Sequence, residues 1–115
     1  MFGRLDSLGP PPTQEPEPAM PVVQTITLAP GASTGWHYHP GRVQVMVLSG
    51  VLTRTLADGS VVVSSPGEGL VEEAGPEFVH IGRNLGSVPV VLAALYDAPE
   101  GSPLAVDAPA PQWSR

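Results

Sequence analysis

The chain has 115 residues, a length that suits one small domain. It carries 11 acidic side chains against 5 Arg and no Lys, and this formal net charge of −6 argues against binding to nucleic acid. It has no Cys, which excludes disulfides and thiolate sites, and no apolar run approaches the roughly 20 residues of a membrane-spanning helix.

The first segment of the chain, residues 1–21, is rich in proline. It holds six of the fifteen prolines, and because Pro lacks the N–H that helices and sheets need, we predict an extended or disordered segment. It also lacks the apolar core of a signal peptide, so we expect a cytoplasmic protein.

The middle of the chain, residues 22–98, is predicted to form a β-domain. Val, Thr, Ile and Leu dominate it, and no helical periodicity of useful length occurs. Asp58-Gly59 between two β-rich runs is a strong hairpin signal. Eight short strands separated by turns predict an all-β fold, a small antiparallel β-barrel. The predicted strands cover residues 22–28, 35–39, 43–48, 51–56, 61–64, 69–72, 78–81 and 88–96.

The last segment, residues 99–115, is again rich in proline, with four between residues 99 and 111. We predict a second, largely unpacked tail for the same reason as at the first end. Phe2 and Trp113 are the side chains that could anchor the two tails on the domain or on a second subunit.

Three histidines are the candidates for metal binding. His37 and His39 are two residues apart in a predicted strand, so their side chains project from the same face. His80 lies in another predicted strand and is the one remaining His that could complete a three-nitrogen set.

The surroundings of these histidines resemble the two sequence motifs of the cupin superfamily. Gly31, five residues, His37-Tyr38-His39 and a later Gly50 follow the first motif. The run Gly67-Glu68-Gly69, followed by His80 and Asn84, is similar to the second, although Pro66 stands one residue early. The resemblance covers about residues 22–98 and implies a double-stranded β-helix, a jelly-roll-like barrel, of the small single-domain bacterial type. Asn84 most simply closes a turn with its amide.

The first motif departs from the family pattern at its fourth ligand, which is usually a Glu. Keeping both motif spacings places Val43 there, with Val43, Val45 and Val47 facing inward. The other register offers Gln44 as a weak neutral ligand and turns Met46 inward. Either way, the resemblance implies a three-His site without a carboxylate ligand.

A three-His cupin implies one divalent transition metal, which could be Fe, Zn, Ni, Cu or Mn. The resemblance suggests metal-dependent chemistry on a small oxygenated organic molecule, most simply dioxygenase-like, with isomerisation or hydrolysis as further options. Two alternatives stay open. One is a non-catalytic, metal-free barrel that binds or senses a small molecule, and the other is a scaffold whose Pro-rich tails dock a partner.

Other side chains are candidates for the same site. Glu72 or Glu73 could point into the barrel as a general base or a distant ligand, whereas a solvated turn is their simpler interpretation. Arg42, directly after the histidine pair, could receive a substrate carboxylate. Phe78 shares parity with His80, so the predicted substrate pocket comprises Val43, Arg42, Phe78 and Met46. For partners we expect a small molecule and a second copy of the chain, paired through the edge of strand 22–28 or 88–96, and neither nucleic acid nor membrane.

Overall fold

The computed structural model describes residues 21–114, which are mostly extended and contain no α-helix. Two short 3₁₀ turns, Pro76–Phe78 and Gln112–Ser114, interrupt the strands. Nowhere in this part of the chain is there a helix long and apolar enough to cross a bilayer. The strands are β1 Val22–Leu28, β2 His37–Tyr38, β3 Arg42–Ser49, β4 Leu52–Leu56, β5 Val61–Ser64, β6 Gly69–Glu72, β7 His80–Arg83, β8 Val90–Asp97 and β9 Val106–Asp107.

The strands form two antiparallel sheets that pack face to face. One sheet has four strands in the order β1-β8-β3-β6, and the other has five in the order β5-β4-β7-β2-β9. All observed pairings are antiparallel, and the described sheets do not close on each other. This arrangement is the double-stranded β-helix that the sequence motifs imply, so the predicted all-β fold is confirmed.

The core lies between the inner faces of the two sheets. Along β3, Val43, Val45 and Val47 are buried while the intervening side chains are exposed. The same alternation places Val90, Leu92, Ala94 and Tyr96 of β8 inward. The period-two pattern of apolar residues therefore sets which side chains reach the interior.

This alternation corrects the second register considered for β3. Gln44 and Met46 lie on the outer face of the four-stranded sheet, where both side chains are exposed and line a shallow outer groove. Neither side chain can reach the interior, because neighbouring residues of a strand point to opposite faces. Gln44 is therefore not a metal ligand, and Met46 does not line an inner pocket.

Asn84 connects the two sheets directly after β7. Its side chain is 1% exposed, and its amide nitrogen donates to the carbonyls of Leu28 and Val88 at 3.0 and 2.7 Å. Its amide oxygen accepts from the backbone N–H of Gly86 at 2.9 Å. The predicted structural role of Asn84 is confirmed, because one side chain satisfies three backbone groups.

Residues 99–114 belong to the folded body, which corrects the expectation of an unpacked C-terminal tail. β9 pairs with β2, and the Trp113 indole donates to the carbonyl of Ala57 at 2.8 Å and packs edge-on against Trp36. The prolines that flank β9 are compatible with a two-residue strand at the edge of a sheet, where one side needs no hydrogen bonds. Trp113 anchors this segment, whereas Phe2 and the predicted N-terminal segment lie outside the described residues, apart from Pro21.

The start of β7 and the position of β8 in its sheet differ from the predictions. The predicted strand 78–81 begins later, at His80, because Pro76 starts a 3₁₀ turn that includes Phe78. β8 lies in the middle of its sheet between β1 and β3. It therefore offers no free edge to a second subunit, whereas β1 is an edge of the described sheet.

Candidate metal centre

Three histidine rings meet between the two sheets. His37 of β2 is directly paired with His80 of β7, and His39 follows two residues after His37 on the same face. The ring centroids are 4.3 to 5.1 Å apart, and one ring nitrogen from each His lies within 4.8 Å of the others. The structure thus brings together the three residues that the His-x-His spacing and the second motif indicate.

A backbone carbonyl orients each ring. The Nδ1 atoms lie 2.9 Å from the Gly35 oxygen for His37, 2.8 Å from the Leu104 oxygen for His39 and 2.9 Å from the Phe78 oxygen for His80. A carbonyl only accepts, so each Nδ1 carries the proton and donates. In a neutral ring the Nε2 lone pair is then free, which is how proteins prepare histidine for a metal ion.

Glu72, at the end of β6, extends its carboxylate into the same cluster. Its oxygens lie 2.9 Å from His39 Nε2 and 3.2 Å from His80 Nε2, and its side chain is 10% exposed. The buried guanidinium of Arg54 approaches the same carboxylate at 3.5 Å. Glu72 is therefore not the solvated turn residue that its position in the sequence suggested.

Glu73 has a different environment. Its side chain is 52% exposed and lies 3.6 Å from Arg42 Nε at the surface. Arg42 itself is exposed and does not line the interior cavity. These two candidates form a surface ion pair, and neither contacts the histidine cluster.

The electrostatics of the cluster favour an ionised Glu72. Burial raises the pKa of this carboxyl, but the adjoining His39 and His80 rings outweigh burial and lower the pKa well below its usual range. Burial lowers the pKa of His39, but the Glu72 carboxylate and the Leu104 carbonyl together raise it. For His37, burial dominates and lowers the pKa, which favours a neutral ring.

Two buried nitrogens of the cluster face a carboxylate. His39 Nε2 and His80 Nε2 lie close to the Glu72 oxygens, but neither contact has regular hydrogen-bond geometry. With the protons on Nδ1, lone pairs of nitrogen and oxygen would face each other, a contact that becomes favourable when Nε2 also takes up a proton or when a cation lies between the two atoms. The residues present therefore fit a divalent transition-metal ion.

Two cavities adjoin the cluster. The inner one, about 50 Å³, is lined by the histidines together with the apolar side chains of Val43, Leu52 and Tyr96. The outer one, about 360 Å³, shares Arg54, Glu72 and His80 with it and includes Phe78 in its wall. The outer cavity thus ends at Glu72 and His80 of the cluster.

Sequence reasoning missed three contributors to the site. Arg54 shares its strand face with Leu52, so a charged residue at a buried position was the available signal. Tyr96 follows the inward alternation of β8, and its ring centroid is 5.8 Å from that of His39. Nothing in the sequence could indicate the Leu104 carbonyl, because every residue type has a backbone carbonyl that can accept a hydrogen bond.

A family model described as a cupin domain matches residues 24–96, and the chain belongs to this family. Curated protein sequences give no significant match. A conserved protein with a double-stranded β-helix domain from Klebsiella pneumoniae is similar in structure. It has 26% sequence identity and a TM-score of 0.62, and the alignment covers 76% of this chain and 70% of that one.

Two solved enzymes share the fold. A cupin-superfamily sugar phosphate isomerase from Silicibacter pomeroyi is 25% identical, with a TM-score of 0.61 and coverage of 70% of this chain and 52% of that one. An oxalate oxidase is 21% identical, with a TM-score of 0.63 and coverage of 76% of this chain and 46% of that one. The chain therefore spans about half the length of either enzyme.

Proposed function

We propose that this protein is a metal-dependent cupin that acts on a small oxygenated organic molecule. His37, His39 and His80 would hold one divalent transition metal. The observation that carries the proposal is the fixed orientation of the three rings, each with Nδ1 bound to a carbonyl and Nε2 available to the common centre.

The metal ion, when bound, would act as a Lewis acid that binds and polarises oxygen atoms of the substrate. Imidazole ligands suit Fe, Zn, Ni and Cu, and a carboxylate extends this range to Mn. The surrounding side chains contribute a dry environment, because Val43, Leu52 and Tyr96 are buried and line the inner cavity. Exclusion of water strengthens every electrostatic interaction within the site.

The outer cavity is the evidence for a small substrate with several oxygen atoms. Its volume of about 360 Å³ is near the lower end for small-molecule sites. Arg54 lines it and is buried. A guanidinium in the wall of the cavity can donate to an oxygen of the substrate. The similar enzymes act, by their names, on oxalate and on a sugar phosphate, which are both small and rich in oxygen.

The reaction we favour is dioxygenase-like, in which both atoms of dioxygen enter the substrate. The first experiment is metal analysis by mass spectrometry of untagged protein, with His37→Ala/His39→Ala as the control. About one transition metal per chain, lost in the control, is the expected result. A protein that contains no metal and does not take up added metal would instead be a binding or sensor module.

The reaction itself is tested with metal-loaded protein and a panel of small hydroxy acids, keto acids and diketones. An oxygen electrode measures dioxygen uptake, and chromatography measures substrate loss in the same sample. Equal amounts of dioxygen and substrate consumed are expected, with no uptake by the double His variant. Substrate loss without dioxygen uptake would move the assignment to isomerisation or hydrolysis.

We also propose that the protein forms a homodimer through β1. This strand is an edge of the four-stranded sheet, and Val23 on it is exposed. Exposed edge strands pair readily with a second chain. Light scattering on the full chain should give twice the monomer mass. The variant Thr25→Pro removes a backbone N–H from this strand, and its measured mass should be lower. A folded wild-type chain that stays monomeric contradicts the proposal.

A further inference from the structure

The carboxylate beside the three histidines comes from a different strand than the cupin motif places it on. The motif position on β3 is Val43, which is 1% exposed and lines the inner cavity. Glu72 on β6 is the direct antiparallel partner of Val43. Directly opposed residues project from the same face with their Cβ atoms about 4.5–5.5 Å apart. A carboxylate on either residue therefore enters the same space.

The distances from Glu72 to two of the three histidines fit a shared metal ion. Two ligand atoms that lie about 2.1 Å from one ion and at about 90° to each other are roughly 3 Å apart. The Glu72 oxygens are 2.9 Å from His39 Nε2 and 3.2 Å from His80 Nε2. Neither contact has regular hydrogen-bond geometry, and a metal ion between the three atoms would account for both spacings.

Arg54 supports Glu72 from the side of the outer cavity. Its Nη1 atom is 3.5 Å from a Glu72 oxygen, and both side chains are at most 10% exposed. A buried carboxylate needs compensating positive charge. At 3.5 Å, Arg54 compensates only part of the negative charge of Glu72. The carboxylate can therefore still bind a cation on the side of the histidines.

From these observations, which rest on the proposed metal centre, we propose that Glu72 is the fourth protein ligand. β6 would supply it in place of the Glu that the motif puts on β3. One consequence concerns charge. A three-His site leaves the full +2 charge of the ion uncompensated, whereas Glu72 reduces it to +1 and so moderates the Lewis acidity expected from the histidines alone.

The test measures binding of Co²⁺ by calorimetry and by its visible absorption spectrum, independently of any catalytic activity. Glu72→Gln keeps the shape of the side chain and removes its charge. We expect a loss of affinity of about 100-fold, by analogy with the 10–100-fold effects of residues around metal sites, together with an altered spectrum. Glu73→Gln is the matched control, since its carboxylate pairs with Arg42 at the surface, and its affinity should be unchanged.

A double variant tests the exchange of positions. Val43→Glu/Glu72→Val returns the carboxylate to β3, so it should recover most of the affinity that Glu72→Gln loses. Thermal unfolding of each metal-free variant verifies that it is folded. A folded double variant that binds no better than Glu72→Gln overturns the exchange of positions.

The outcomes separate this inference from the proposed function. If Co²⁺ binding needs the histidines but Glu72→Gln binds within about threefold of wild type, Glu72 is not a ligand and the three-His site stands. If wild type binds Co²⁺ no better than His37→Ala/His39→Ala, the metal centre itself is wrong, and the role of Glu72 falls with it.

Discussion

His39 donates through Nδ1 to the carbonyl of Leu104, a residue 65 positions further along the chain, at 2.8 Å. This contact makes the C-terminal segment part of the proposed metal centre, because it fixes the ring orientation of one histidine. The segment is held at two places, by β9 on β2 and by Trp113 on Ala57.

Loss of the C-terminal anchor should weaken metal binding. Trp113→Ala removes the indole hydrogen bond and the edge-on contact with Trp36, and ending the chain after residue 98 removes the Leu104 carbonyl as well. We expect roughly tenfold weaker binding of Co²⁺ for the truncated chain, since partners that orient a ligand contribute about 10–100-fold. Calorimetric titration measures this. A truncated chain that stays folded and binds as tightly as the full chain would contradict the prediction.

Asn84 should contribute more to stability than any exposed residue near it. Asn84→Ala leaves the carbonyls of Leu28 and Val88 and the N–H of Gly86 without their partner. An unsatisfied buried polar group costs about 1–3 kcal/mol, so we expect a loss of about 3 kcal/mol in the free energy of unfolding. Urea denaturation measures it. Leu85→Ala, at a side chain that is 70% exposed, is the control and should change little.

Two glycines with positive φ allow the cost of backbone strain to be distinguished from the cost of a steric clash. Gly50 has φ +75°, and a Cβ there would lie 2.4 Å from the carbonyl oxygen of Pro89. Gly67 has φ +88° with open space around it. Both Ala variants lose about 1 kcal/mol from the left-handed backbone, and Gly50→Ala should lose about a further 1–3 kcal/mol from the clash. Equal thermal stability of the two variants would refute the role of this close approach.

Asp58 should titrate at an unusually low pH. The hydroxyl and the backbone N–H of Ser60 both donate to its carboxylate and lower the pKa of Asp58. Because the folded pKa is depressed, the stabilisation is present above the pKa of the unfolded chain and is lost as the pH falls through the folded value. NMR titration should find the Asp58 pKa below about 3.9, the ordinary Asp value, and Ser60→Ala should move it upward. An Asp58 pKa unaffected by Ser60→Ala would count against this account.

Strand alternation made much of this site predictable. The i, i+2 spacing of His37 and His39 places both rings on one face, and the motif spacing favours Val43 over Gln44 as the inward residue of β3. Glu72 was within reach of that reasoning, since it shares its strand face with the partly buried Leu70. The sequence nevertheless favours a turn residue over a site residue here, because a charged side chain at a strand end is usually solvated.

Other features could not be predicted from local sequence. β9 has two residues between prolines, too few for any periodic signal. Its pairing with β2 depends on where the chain returns after β8, and that is a property of the whole fold. The register of β6 on β3, which sets Glu72 opposite Val43, is likewise a long-range pairing.

The pairing of Val43 with Glu72 also bears on how related chains are recognised. A linear sequence motif requires an acid at a fixed interval after His-x-His, and this chain has Val43 there. Read across the sheet, the row runs Glu72, Val43, Tyr96, and the acid has moved by one strand. Sequence searches that require an aliphatic residue at the position of Val43 together with an acid at the end of β6 would therefore find such chains. Searches with the linear motif alone would reject them as having lost a ligand.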